Sequence, residues 1–122
     1  MSEYHEEYEL LDPATRNHHR AIKSFMEELE AVDWYNQRVA VCDDEELKQV
    51  LAHNRDEEIE HACMTLEWLR RNMPCWDEHL RTYLFRTEPI IEIEAAETNG
   101  GPPEPKQPQR RSGLAIGSLK QT

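Results

Sequence analysis

The chain has 122 residues, of which 38% are apolar and 32% charged, with a formal net charge of -11. That length allows one small domain, and the acidic balance argues against nucleic acid or an anionic membrane surface as a partner and suits attraction of cations. Three cysteines (Cys42, Cys63 and Cys75) are too few and too irregularly spaced for a disulfide framework or a zinc knuckle, so they read as packing or surface thiols in a reducing compartment.

Residues 1–11 are acidic, lack the basic and apolar regions of a signal peptide, and read as a flexible N-terminus. No run along the chain is apolar enough to span a bilayer. The first helix is expected to open at Asp12-Pro13, with Asp12 as cap and Pro13 at the first helical position, and to run to about Val41. Cys42-Asp43-Asp44 reads as a turn whose aspartates cap a second helix from about Glu45 to Asn72, which stops before Pro74. Each helix would be about 40 Å long, and the short connection makes them an antiparallel hairpin. A shorter third helix is expected from Trp76 to Leu84, ending before Pro89. The fold class is therefore all-α, with a helical domain over residues 12–98. Two long helices bury little surface alone, so association should complete the core.

Residues 99–111 are rich in Pro and Gly and read as a disordered linker. The charge shifts here too: residues 104–122 carry +3, leaving -14 on the rest. Residues 112–122 turn apolar again at Leu114, Ile116 and Leu119. A linker ending in a short apolar peptide has the layout of a docking tag, because alternate side chains of an extended peptide can enter pockets. A frayed end of no consequence is the competing reading.

On the first helix, the row Ala21, Phe25, Glu28, Val32, Tyr35, Val39 is apolar or aromatic except for Glu28 at its centre. Ile22, Met26 and Leu29 widen the apolar face. Burying a lone carboxylate there costs several kcal/mol unless a cation compensates. On the second helix, the row Leu47, Leu51, Asn54, Glu58, His61, Thr65, Trp68 has apolar ends and a polar middle. Glu58-Ile-Glu-His61 is an E-x-x-H pair, which puts a carboxylate and an imidazole on one helix face a turn apart. Glu28 lies 14 residues before Cys42, and Glu58 and His61 lie 16 and 19 after it, so all three sit at similar levels of the hairpin. Di-iron sites in four-helix bundles use two E-x-x-H pairs and two further glutamates, so one chain carries half of such a set. Tyr35 is placed to hydrogen-bond a ligand carboxylate. Acidic residues are common on helices, and a charged helix edge without metal is the bland alternative.

Glu27, Glu30 and Trp34 form a row rotated away from Glu28. Across a two-fold axis the carboxylates could form a weak solvated cation site, and a plain charged face explains them equally well. His53 and Glu57 form an H-x-x-x-E pair of haemerythrin type, but those proteins use more histidines than this chain offers. His5, His18, His19 and His79 have no evident carboxylate partner and read as surface residues.

Taken together, Met26-Glu-Glu-Leu-Glu-Ala-Val-Asp-Trp-Tyr35, Ala52-His-Asn-Arg-Asp-Glu-Glu-Ile-Glu-His-Ala62, Thr65-Leu-Glu-Trp-Leu-Arg-Arg71 and Leu80-Arg-Thr-Tyr-Leu-Phe85 resemble the encapsulated ferritins. Leu114-Ala-Ile-Gly-Ser-Leu-Lys120 resembles the encapsulin cargo-loading peptide. The resemblance implies a ferroxidase that oxidises Fe(II) with dioxygen at a di-iron centre shared by two subunits. It implies Glu28, Glu58 and His61 as iron ligands, Tyr35 beside them, and Glu27, Glu30 and Trp34 as a metal-entrance site for calcium or another divalent cation. It further implies a homo-oligomer, in which two chains pair into a ferritin-like four-helix bundle and the dimers form a decameric ring, carried inside an encapsulin shell in the bacterial cytoplasm and bound to the shell protein through residues 112–122. Cys63 departs from the small residue of the family pattern. The alternative is a non-catalytic metal-binding helical module carried as the same cargo.

Overall fold

A computed structural model describes residues 3–99; the linker beyond Asn99 and the 112–122 tag lie outside the described residues. The described chain is all-helical: α1 (Pro13–Val41), α2 (Glu45–Asn72), α3 (Pro74–Tyr83) and α4 (Ile90–Asn99), preceded by a single 3-10 turn at Tyr8–Leu10. It falls into two compact units, the first ending at Pro74 and the second starting at Cys75.

Local chemistry sets the limits of the hairpin. The Asp12 carboxylate accepts from the Thr15 amide at 2.7 Å with Pro13 at the first helical position, and the same bond holds the Asp12 carboxyl below its ordinary range. Asp44 accepts from the Leu47 amide at 2.9 Å and so starts α2 after a link of three residues. A link that short forces an antiparallel pair. Two hydrogen bonds mark its register: Arg55 Nη1 donates to Asn36 Oδ1 at 3.0 Å, and Thr65 Oγ1 donates to Glu28 Oε1 at 2.9 Å. His18 meets Trp68 edge-on near the open end.

Residues 3–11, read from sequence as a flexible segment, lie against α1. The Arg16 guanidinium sits 3.8 Å over the Tyr8 ring and donates to the Tyr8 carbonyl at 2.7 Å. Tyr4 stacks on His19, and Lys23 pairs with Glu3 at 3.3 Å.

The hairpin buries very little. None of the 29 residues of α1 is buried, and α2 buries only Ala62 and Leu69. Ile22, Met26 and Leu29 on α1, and Leu47, Val50, Ile59 and Met64 on α2, stay exposed. Covering a large apolar side chain contributes about 1.5–3 kcal/mol, so most of the stabilisation available to these helices is unrealised in one chain.

Near the end of α2, Arg70 grips both oxygens of Glu67 at 2.7 and 2.8 Å, and Arg71 adds a third bond at 2.7 Å. The Arg70 hydrogen bonds, opposed by partial burial and helped by Arg71, hold the Glu67 carboxyl at about 2 against an ordinary 4.5. A folded pKa below the unfolded one means the stabilisation is present above about 4.5 and is lost as pH falls through about 2. Glu67 is 41% exposed, so solvent screening limits the contribution to about 1 kcal/mol. Glu67→Gln should therefore lower stability at neutral pH by that amount and flatten its loss between those pH values. An acid-unfolding profile that overlays the wild type would contradict it.

The third helix, α3, begins at Pro74, two residues earlier than the sequence suggests, and ends at Tyr83. Arg86 caps it by donating to the Thr82 carbonyl at 3.0 Å and to the Glu88 carboxylate at 2.7 Å. Phe85 closes the turn with φ of 63°, and its side chain is exposed. The sequence reading contains no counterpart of α4. The Pro89 carbonyl accepts its first amides, from Glu92 and Ile93, and Ile93 is buried.

Candidate metal centre

Glu28, Glu58 and His61 stand at mid-length on the hairpin, as their spacing predicts. Within α2 the one-turn offset brings His61 Nδ1 to 3.6 Å from Glu58 Oε1, with Glu58 the less exposed at 29% against 48%. Glu28 is half-buried on α1. Its carboxylate is tied across to α2 by Thr65, whose hydroxyl also lies 3.2 Å from the His61 carbonyl. A threonine hydroxyl has one hydrogen and two acceptors here, so it links the Glu28 carboxylate to the backbone turn that carries His61. Thr65 is a polar member of the α2 row with no role evident from sequence. A hydroxyl one turn beyond His61, facing a glutamate on the other helix, is the signal that identifies it. Beside Thr65 the helices part into a groove of about 410 Å³ lined in part by Arg20, Ala21, Met64 and Trp68.

These three groups do not close on one another in a single chain. Among the described residues, the trio of ligand-type side chains whose donor atoms all lie within 4.8 Å is Cys75, Glu78 and His79, in α3. His79 therefore does have a carboxylate neighbour, in Glu78, and Cys75 is not an isolated thiol. Helical spacing of three and four residues puts them together on one turn.

Tyr35 is half-buried seven residues from Glu28, with the Arg38 guanidinium 5.3 Å from its ring. Glu27 and Glu30 are exposed, and Trp34 is 50% exposed, as expected of a face turned away from α2. His53 and Glu57 lie 3.9 Å apart, both well exposed. Cys42, Cys63 and Cys75 are free thiols. No described helix is long and apolar enough to cross a membrane.

A helical hairpin that exposes its apolar stripe and carries an E-x-x-H pair level with a glutamate on the facing helix has the residue pattern of ferritin-like proteins. Comparison with known proteins agrees. Residues 3–87 match the family model described as EncFtn-like. An encapsulated ferritin-like protein of Rhodospirillum rubrum is 59% identical over 121 residues, covering 95% of this chain and 86% of the relative. A ferritin-like protein of Thermotoga maritima is 59% identical over 99 residues, with 81% and 86% covered. An encapsulin nanocompartment cargo protein of Myxococcus xanthus is 29% identical over 99 residues, with 76% of each covered. A crystal structure of a Nitrosomonas europaea protein superposes with a TM-score of 0.71 at 58% identity, covering 73% of this chain and 98% of that one. The chain belongs to the EncFtn-like family, the encapsulated ferritins.

Proposed function

We propose that the chain is a ferroxidase whose di-iron centre forms between two copies of the hairpin. The observation that carries this reading is the Thr65–Glu28 hydrogen bond, which holds a carboxylate of α1 beside the turn bearing Glu58 and His61. In a pair of chains, Glu58 and His61 of each copy would hold one Fe(II), with the two Glu28 carboxylates as shared ligands. Oxygen ligands with one imidazole per metal suit iron in both oxidation states. Their negative charge favours Fe(III) over Fe(II), so the ligand set promotes loss of one electron from each Fe(II) to dioxygen. The Tyr35 phenol is suited to orient a ligand carboxylate. Glu27, Glu30 and Trp34 form a metal-entrance site that concentrates divalent cations outside the centre.

The exposed apolar residues of α1 and α2 support the pairing, because a second hairpin would cover them. Such dimers would assemble further, as a decameric ring. Mixing Fe(II) with the aerobic protein and following absorbance and oxygen uptake tests the activity. Fast oxidation with oxygen consumption is expected. Metal binding without oxygen uptake would favour the alternative, a metal-holding module without turnover. Thr65→Val keeps the shape and removes the hydroxyl, and should slow oxidation about 10–100-fold, the usual cost of losing a group that orients a metal ligand. An unchanged rate would remove Thr65 from the site.

Residues 112–122 would bind an encapsulin shell protein, placing the enzyme inside a nanocompartment in the bacterial cytoplasm, where its product mineralises. The cargo role named for the Myxococcus xanthus relative supports this. Deleting residues 112–122 should leave oxidation intact and abolish co-purification with the shell. Packaging of the shortened chain would contradict the tag.

A further inference from the structure

We propose that Cys75, Glu78 and His79 form a second metal site, which takes a borderline divalent ion such as Zn(II) or Co(II). The three residues lie in the first turn and a half of α3, at positions i, i+3 and i+4 of one helix face, and their donor atoms are all within 4.8 Å of one another. Zn(II) bonds sulfur at about 2.3 Å and nitrogen or oxygen at about 2.0–2.2 Å, so tetrahedral ligand atoms stand about 3.3–3.8 Å apart. Small rotamer adjustments of three exposed side chains close that gap. Exposure also means that an ion reaches the site without entering a low-dielectric interior.

The surroundings leave this trio distinct. Asp77 accepts from Arg81 at 2.9 Å and is not one of the three clustered donors. The Glu78 carbonyl accepts from the Thr82 hydroxyl at 3.1 Å, which anchors the turn that carries Glu78 and His79. Pro74 starts the helix immediately before Cys75, and its ring fixes φ at the point where the ligand turn begins.

The donor set decides the metal. A thiolate with an imidazole and a carboxylate selects Zn(II) or Co(II) over Ca(II) and Mg(II), which take oxygen donors. Affinity of such a set rises from Fe(II) through Co(II), so Fe(II) is held more weakly here than either borderline ion. Three protein ligands leave a fourth position for water. Binding displaces the Cys75 thiol proton to solvent, with no change in oxidation state. The site shares no residue with Glu28, Glu58 and His61, and it stands or falls independently of the ferroxidase reading.

The test is an anaerobic Co(II) titration of the full-length protein, watched in the near ultraviolet for thiolate-to-cobalt charge transfer. A saturating band that Zn(II) abolishes by displacement is expected. Cys75→Ser should eliminate it, whereas Cys42→Ser and Cys63→Ser leave it in place. Glu78→Gln and His79→Gln should each weaken Co(II) binding by at least about tenfold while the protein keeps its wild-type helical circular dichroism. Absence of the band in the wild type, or its persistence in Cys75→Ser, overturns the site. Unchanged affinity in both Glu78→Gln and His79→Gln also overturns it, since the metal would then be held by a lone thiol.

Discussion

Glu28→Ala, Glu58→Ala and His61→Ala should each reduce rapid oxidation of Fe(II) by at least about a hundredfold. Loss of a group that merely orients a metal ligand costs about 10–100-fold, and loss of the ligand itself costs more. The three substitutions fail in different ways. Glu28→Ala would remove the proposed shared carboxylate and leave the Thr65 hydroxyl without its cross-hairpin acceptor. Glu58→Ala and His61→Ala each remove one member of a pair that stands 3.6 Å apart in the structure. None of the three should unfold the chain, because all are partly or largely exposed in the hairpin and none contributes to the Ala62–Leu69 core. Stopped-flow absorbance with Fe(II) in air reads the rate, and helical circular dichroism guards against misfolding. Wild-type rates in all three variants would refute the ligand assignment.

Loss of pairing should abolish activity as completely as loss of a ligand. Met26 is 56% exposed and Leu29 49% exposed, on the apolar side of α1 that widens the Glu28 row. Covered by a second hairpin, each stabilises the pair; replaced by aspartate, each would place an uncompensated charge in the joint. That costs several kcal/mol, enough to lower the association constant more than a hundredfold. Met26→Asp/Leu29→Asp should therefore sediment as a single chain at micromolar concentration, and its rate of Fe(II) oxidation should fall to that of Glu28→Ala. A variant that sediments singly yet oxidises iron at the wild-type rate would show that one hairpin suffices.

The elements most plainly written in the sequence are those that rest on local chemistry. Asp12-Pro13 and Asp44 cap where capping residues should, and Pro74 ends α2 because no helix continues smoothly through it. The level of Glu28 against Glu58 and His61 follows from counting along two straight helices joined by a short link. The fourth helix was hidden by its composition. Ile90, Ile91 and Ile93 are β-branched and disfavour a helix locally, and a buried Ile93 together with the Pro89 carbonyl cap outweighs that propensity. Thr65 was visible as a polar member of an apolar row, but its partner lies 37 positions away, and only the fold joins them. Cys75, Glu78 and His79 were each weighed as a single residue type, which conceals a cluster that depends on their spacing. The Glu28 centre has a different limit. The donor atoms of Glu28, Glu58 and His61 do not converge in one chain, so neither periodicity nor a single hairpin displays the proposed two-chain site.

The central claim is that two chains share one oxidation site. Native mass spectrometry of the protein titrated with Fe(II) without oxygen tests it most directly, in the Cys75→Ser background so that the α3 thiol contributes nothing. Two irons per pair of chains, in dimers or in larger rings, and no such loading when Glu28→Ala is titrated in the same way, are the predicted result. Single chains that load two irons, or iron uptake by Glu28→Ala equal to the parent, would contradict it.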